Sequence, residues 1–124
     1  MHDNSVSPSN QPLTPAVFHT LMALAGGEKH GYAIMKDIES QTSGRMKMGP
    51  GTLYGSIKRM LASGLIKETD ERPDPELDDE RRRYYSLTDY GMRALQVESK
   101  RLAQAVKIAQ EKHLLAYQLE EDIR

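Results

Sequence analysis

Apolar residues recur at intervals of three and four in three short segments, which are separated by turns that contain glycine. The first segment starts at Thr14-Pro15, a hydroxyl cap followed by proline, and ends at Gly26-Gly27. The second covers 32–42, and the third follows a turn at 48–52 and ends at Gly64, where a left-handed helix cap belongs. The spacing predicts three helices within about fifty residues, which is typical of a helix-turn-helix.

The period then changes from helical to alternating. Residues 65–69 and 82–87 are predicted to form two short strands. The segment between them, 70–80, holds two prolines and most of the acidic residues, and it is predicted to be an exposed hairpin tip. A two-stranded hairpin directly after the third helix predicts a β-wing.

The last segment has helical periodicity again, beginning at a Thr88 cap. Between residues 89 and 123 there is no proline and no glycine apart from Gly91, which predicts a helix of up to about 35 residues, about 50 Å long. A lone helix of that length cannot cover its apolar stripe within one chain, so we expect it to pair with a second copy. The predicted dimer contacts are Leu95, Leu102, Val106, Ala109, His113 and Tyr117.

These elements define the expected fold class, which is mainly α with a small β-wing: a winged helix-turn-helix plus a long C-terminal helix. The expected organisation is a flexible N-terminal arm at 1–12, a DNA-binding domain at 13–88 and a dimerisation helix at 89–124. A chain of 124 residues with no cysteine fits one small domain in a reducing compartment. The longest apolar run has five residues, so we expect a soluble, cytoplasmic protein without a membrane span.

The net charge of −1 conceals a strong segregation of charge along the chain. Residues 45–67 carry five basic residues and no acidic one, whereas 68–80 carry eight acidic residues and a single arginine. Three arginines follow directly at 81–83. The basic segment coincides with the third predicted helix, which makes nucleic acid a candidate partner despite the near-neutral total.

Catalytic and metal-binding motifs are missing from the sequence, so we expect neither an enzyme nor a cofactor. The four histidines are scattered without ligand spacing. A structural role is favoured over metal binding for His19, and over proton sensing or ligand binding for His113 on the last helix. The acidic tip offers oxygen donors but lacks the order of a calcium loop, which favours a solvated tip over a metal site.

The third helix is predicted to expose hydrogen-bonding side chains that could enter the major groove of DNA. Phosphate contacts are expected before the helix and at the wing base. Tyr32 and Tyr54 are each open to two roles, packing between helices or contacting DNA, and a merely solvated basic face is the competing interpretation. The expected DNA-binding residues are Arg45, Lys47, Thr52, Tyr54, Ser56, Lys58, Arg59, Arg82 and Arg83.

Four motifs in this order resemble the signature of PadR-type transcriptional regulators. They are His30-Gly31-Tyr32-Ala33-Ile34, Gly49-Pro50-Gly51-Thr52-Leu53-Tyr54, Gly64-Leu65-Ile66 and the run from Arg83 to Gly91. The resemblance implies a winged-helix dimer that represses a nearby promoter. Members of the small subfamily with a single C-terminal helix often respond to multidrug-like or other aromatic compounds, but this chain has no tryptophan, so the stacking platform that some of them use is not carried over. It also places recognition-helix roles on Thr52, Tyr54, Ser56, Lys58 and Arg59 and wing roles on Arg82 and Arg83.

The expected function is therefore a homodimeric repressor that binds a pseudo-palindromic operator on double-stranded DNA. Its two third helices should lie about one helical turn, about 34 Å, apart. A small-molecule effector near the last helix would change that spacing through the short connection from Thr88 to Gly91 and release the operator. The alternative, favoured by the sequence pI near 6.4 and the acidic wing, is a winged-helix protein-interaction module without specific DNA binding.

Overall fold

The computed structural model describes residues 12–69 and 83–115. In chain order its elements are α1 (Pro15–Ala25), β1 (Lys29–His30), α2 (Gly31–Gln41), α3 (Pro50–Ala62), β2 (Ile66–Thr69), β3 (Tyr84–Leu87) and α4 (Asp89–Glu111). The predicted arm up to residue 11, the acidic wing tip, Arg82 and Tyr117 lie outside the described residues. The fold is a winged helix-turn-helix followed by a longer helix, as the sequence pattern predicts.

The helix starts follow from local capping chemistry. The Thr14 hydroxyl accepts a hydrogen bond from the backbone N–H of Val17 at 3.2 Å, and Pro15 occupies the first turn of α1. At α2 the cap is His30, whose Nδ1 accepts from the backbone N–H of Ala33 at 3.3 Å. The sequence pattern predicted only a turn at His30-Gly31, because histidine is not among the common capping residues.

The three strands form one antiparallel sheet in the order β1-β3-β2. Ile66 pairs with Leu87 and Thr69 with Tyr84, which makes β2 and β3 the predicted wing hairpin. The other edge of β3 pairs with β1, where Lys29 lies opposite Tyr85. Two residues are too short for any periodicity, so β1 was not predicted.

The hydrophobic core lies where the first three helices, the sheet and the beginning of α4 meet. The largest fully buried side chains include Leu21 of α1, Ile34 and Ile38 of α2, and Leu53 of α3. Tyr85 of β3 belongs to the same cluster. Burial of such side chains is worth about 1.5 to 3 kcal/mol each, so the domain holds α3 in a fixed orientation.

The last helix, α4, ends at Glu111, and the expectation that it continues to about residue 123 is wrong. His113 adopts a left-handed conformation with φ of 63°. The backbone N–H of Leu114 donates to the carbonyl of Ala109 at 2.9 Å, and that of His113 donates to Gln110 at 3.0 Å, which is a Schellman cap. Histidine tolerates this conformation better than most residues, so the helix stops without glycine or proline, and His113 does not lie on the helical stripe.

The inward face of α4 is covered only along its first part. Gly91, Ala94, Leu95 and Glu98 are buried, and α1 packs against this part of the helix. The carboxylate of Glu98 is paired there with the guanidinium of Arg101. Leu95 is 5% exposed and packs in the domain core, so its predicted place in a dimer interface is wrong.

Beyond Glu98 the same face is uncovered in the described part of the chain. Leu102 is 42% exposed and Val106 is also exposed, while Ala109 is partly buried. Over residues 12–69 and 83–115, none of the helices has the length and apolar character needed to cross a bilayer.

Candidate nucleic-acid interface

One face of α3 packs on the core and the opposite face is open to solvent. Leu53, Ile57 and Met60 are buried, at the spacing expected for one helix face. The exposed residues of this open face include Gly51, Thr52, Tyr54, Lys58 and Arg59. The outward face therefore presents hydroxyl groups and two cations without an acidic side chain.

Ser56 does not lie on this exposed face, contrary to the sequence prediction. Its side chain is buried and the residue is only 3% exposed. The prediction included Leu61 in the apolar stripe, whereas Leu61 is 36% exposed. Including it turned the centre of the expected stripe by about 20° away from Ser56, which lies at the edge of the buried face.

The N-terminus of α3 has no side-chain cap. Its N-cap is Gly49, and no side-chain hydrogen bond closes it, unlike the caps of the other three helices. Pro50 has no N–H to satisfy, so Gly51 and Thr52 supply the first backbone donors of the helix. These donors and the helix dipole favour an anion at this end.

Two basic residues precede α3. Arg45 and Lys47 are exposed in the segment that connects α2 to α3. The ammonium of Lys47 lies 3.8 Å from the carboxylate of Glu39, and the two side chains are 73% and 41% exposed. This pair is weak and can exchange, because exposed ion pairs contribute about 0 to 1 kcal/mol.

Tyr54 packs between helices, which is one of the two roles that the sequence left open for it. It is 47% exposed, and its phenol lies directly over Gly31, the first residue of α2. A side chain at position 31 would occupy the same space as the phenol. Tyr54 therefore packs on α2 and still offers part of its ring to a ligand of α3.

Tyr32 lies at the start of α2 and is more exposed than Tyr54. Its ring stacks on His30 with a centroid distance of 6.5 Å and an interplanar angle of 19°. The ammonium of Lys36 lies 5.8 Å from the same ring centroid, within the range of a cation–π contact. Lys36, Lys47 and Pro50 line one groove with Tyr32, at the N-terminal end of α3.

The described part of the wing carries one of the predicted DNA-binding arginines. Arg83 is exposed and donates from its guanidinium to Glu68 on the neighbouring strand at 2.8 Å. This hydrogen bond and the charge of Glu68 raise the pKa of Arg83. Arg83 is therefore a permanent cation that is already paired, and a phosphate would have to replace Glu68.

His19 and His30 have structural roles. The side-chain N–H of Gln41 donates to the backbone carbonyl of His19. The side-chain oxygen of Gln41 lies 2.7 Å from His19 Nδ1, which can donate to it. His19 thus ties α1 to the end of α2, and His30 caps α2. Across 12–69 and 83–115, no group of three or more metal-ligating side chains is brought together.

Comparison with known proteins identifies the family. A model of the transcriptional regulator PadR-like family matches residues 20–97. The chain belongs to this family. The match runs from the second half of α1 through α2, α3 and the wing to the first part of α4, and it confirms the resemblance inferred from the four motifs.

Several solved structures share the PadR fold. A PadR family transcription regulator from Clostridium difficile is 24% identical with a TM-score of 0.64, over 79% of this chain and 97% of that one. RosR from H. salinarum is 22% identical with a TM-score of 0.63, over 93% and 97% of the two chains. Bacillus subtilis PadR, solved in complex with operator DNA, is 21% identical with a TM-score of 0.54, over 64% of this chain and 44% of that one.

A curated relative is closer in sequence. An uncharacterized 37.1 kDa protein in transposon TN4556 of Streptomyces fradiae is 40% identical over 83 residues, which is 67% of this chain. The chain spans only 21% of the length of that relative. The similarity therefore concerns a unit of PadR size within a longer protein.

Proposed function

We propose that this PadR-like chain is a homodimeric transcriptional repressor that acts in the cytoplasm and binds a pseudo-palindromic operator. The observation that carries the proposal is the exposed face of α3, where Tyr54, Lys58 and Arg59 lie in a segment without acidic residues. A short helix with such a face fits the major groove. The operator-bound structure of Bacillus subtilis PadR supports the choice of DNA as partner.

Each exposed group of α3 has a proposed role. Arg59 reads a base edge, because a guanidinium can bind guanine through two hydrogen bonds. Lys58 contacts phosphate, and Thr52 and Tyr54 hydrogen-bond to the nearest base or phosphate. Arg45 and Lys47 supply further phosphate contacts beside the uncapped start of α3.

The wing supplies a second grip on the DNA backbone. We assign this role to Arg83, with Arg82 as its proposed neighbour. The ion pair of Arg83 with Glu68 lies on the surface, so exchange of the carboxylate for a phosphate costs little.

A second copy is the proposed cover for the open part of α4. Leu102, Val106 and Ala109 continue the helix face that Leu95 and Glu98 begin inside the domain. An apolar stripe that leaves its own domain in this way is typical of a helix that pairs with a copy of itself. In the dimer the two α3 helices would lie about 34 Å apart, one turn of DNA.

Release by a small-molecule effector is the proposed regulation. The effector would bind near α4 and favour a dimer whose α3 helices are too far apart, or too close, for one operator. The short connection between wing and α4 supports this mechanism, because only Thr88 separates β3 from α4. Equal operator affinity with and without a panel of aromatic and multidrug-like compounds would contradict it.

Duplex selection from a randomised pool, followed by fluorescence anisotropy, tests the DNA function. The selected duplex should lose affinity steeply between about 50 and 200 mM salt. Arg59→Ala should weaken that duplex by about tenfold or more, whereas Lys100→Ala on the exposed surface of α4 should not. Failure to enrich any duplex, with no salt-dependent binding, would favour the protein-interaction module instead.

A further inference from the structure

A network of hydrogen bonds centred on Thr88 connects the end of α3 to the start of α4. We call this connection the joint. The Thr88 hydroxyl donates to the carbonyl oxygen of Gly64 at 2.5 Å, and the carbonyl oxygen of Leu65 is a second acceptor at 3.1 Å. The same hydroxyl accepts from the backbone N–H of Gly91 at 2.9 Å. The backbone N–H of Thr88 also donates to Leu65 at 3.2 Å. One residue thus serves as the N-cap of α4 and as a bridge to residues 64–65.

The acceptors of this bridge are the residues that end α3. Gly64 has a φ of 81°, and its N–H donates to the carbonyl of Leu61 at 3.2 Å. The N–H of Leu65 donates to the carbonyl of Met60 at 3.0 Å, which completes a Schellman cap. The Thr88 hydroxyl is therefore two consecutive hydrogen bonds away from the last turn of α3.

The start of α4 and the residue that follows the α3 cap are also in close backbone contact. Gly91 lies against the backbone carbonyl of Leu65 so tightly that a side chain at position 91 would overlap it. Because the obstacle is backbone, it cannot rotate away as a side chain would. The first turn of α4 and the last turn of α3 are thus held by directional hydrogen bonds and by direct contact.

We infer that Thr88 is a positioning residue that fixes the orientation of α3 relative to α4, and so sets the spacing between half-sites that the dimer accepts. The spacing role rests on the proposed function, since it requires a dimer that binds DNA. If the Thr88 bridge is lost, the angle between α3 and α4 varies. The two α3 helices of the dimer then bind half-sites at several spacings, and affinity for the preferred spacing falls.

The chain supplies a matched control for this inference. Thr14 caps α1 through the same hydroxyl chemistry, accepting from Val17, and none of its described hydrogen bonds reaches another element. Thr14→Val and Thr88→Val therefore remove the same kind of helix cap, but only Thr88→Val removes the bridge. Thr88→Ser keeps the hydroxyl and should restore the wild-type behaviour.

The joint can be measured without DNA. The sequence contains no cysteine, so spin labels can be attached at Lys58→Cys on α3 and Lys100→Cys on α4, with unlabelled protein in excess. Electron–electron distance measurements should give one narrow distribution for the wild-type background, Thr14→Val and Thr88→Ser. Thr88→Val should broaden or shift the distribution, and an unchanged distribution would overturn the inference.

The spacing role is tested on the selected operator and on versions with one base pair added or removed between the half-sites. Wild type should prefer one spacing, and Thr88→Val should reduce that preference by about tenfold, the effect of a modest loss of orientation energy in each protomer. If Thr88→Val broadens the distance distribution but keeps the preference for one half-site spacing, the spacing role is overturned. Absence of any DNA binding by wild type would overturn the proposed function and the spacing role, while the distance measurement would still decide the role of Thr88 in the joint.

Discussion

The phenol of Tyr54 on α3 lies against the α-carbon of Gly31, the first residue of α2. This contact joins the first residue of α2 to the fifth residue of α3, the two helices of the helix-turn-helix. It exists because position 31 has no side chain, and it holds an aromatic ring at the edge of the proposed DNA-binding face. Disturbing this contact should therefore lower DNA affinity while leaving the free energy of unfolding nearly unchanged.

Gly31→Ala should displace Tyr54 without unfolding the protein. The nearest atoms to the new methyl group belong to the far end of a half-exposed side chain, which can rotate away. The free energy of unfolding should change by less than about 1 kcal/mol, while operator affinity falls several-fold. In a Tyr54→Ala background the same substitution should have no further effect on affinity, and an undiminished effect there would contradict the contact.

Gly91→Ala should instead be strongly destabilising. The new methyl group would overlap the backbone carbonyl of Leu65, and relief requires α4 to move away from the end of α3. We expect a loss of about 2 kcal/mol or more in the free energy of unfolding, despite the better helix propensity of alanine. Urea unfolding measures it, with Gly31→Ala as the control at another helix start.

Tyr85 should give the domain a loss of stability at alkaline pH. Burial of its phenol, together with the nearby charge of Glu68, raises the pKa of Tyr85 above its ordinary value of 10.0. The unfolded chain loses this proton at a lower pH than the folded one, so the contribution is complete below about pH 10 and is lost as pH rises through the folded-state pKa.

Urea unfolding between about pH 8 and pH 11 tests this linkage. Tyr85→Phe should flatten the alkaline decrease in the free energy of unfolding, because phenylalanine has no proton to lose. Tyr32→Phe, at a ring that is mostly exposed, should retain the wild-type slope. Identical slopes for wild type and Tyr85→Phe would show that other groups cause the decrease.

Two equally exposed apolar residues of α4 distinguish its faces. Leu102 is 42% and Ile108 41% exposed, but Leu102 continues the buried face of the helix, whereas Ile108 lies about a third of a turn away. Leu102→Glu should convert the proposed dimer to a monomer in light-scattering mass measurements, and Ile108→Glu should not. The opposite result would place the dimer interface on another face of α4.

The pairing of Glu68 with Arg83 should limit DNA affinity. Glu68→Gln removes a carboxylate that competes with phosphate for the guanidinium, so affinity for the operator and for random duplexes should rise by a few fold. Glu111→Gln, which changes the net charge equally at the exposed end of α4, is the control. A drop in affinity for Glu68→Gln would mean that Glu68 orients Arg83 rather than competing for it.

Local chemistry accounts for the parts of the fold that the sequence predicted well. Thr14-Pro15, Thr88 and Gly64 act through neighbours within a few residues, so their caps could be recognised in the sequence. The features that were missed depend on distant partners. Strand β1 exists because β3 lies beside it, and Leu95 is buried because α1 covers the start of α4.

The error at Ser56 has a different origin. A helical stripe is read as an average over several positions, and one exposed leucine moved that average far enough to misplace a small polar residue. The end of α4 was missed because His113 takes a conformation usually left to glycine or asparagine.

The uncovered end of α4 has a consequence for how the protein depends on its own concentration. A helical segment of about ten residues that lacks packing is only marginally stable in water. We therefore expect the turns after Arg101 to unfold when the protomers of the proposed dimer separate and to fold again when they associate. For the proposed dimer, the midpoint of thermal unfolding should rise with protein concentration, so the amount of chain in the cell would set the fraction that is paired for the proposed repression.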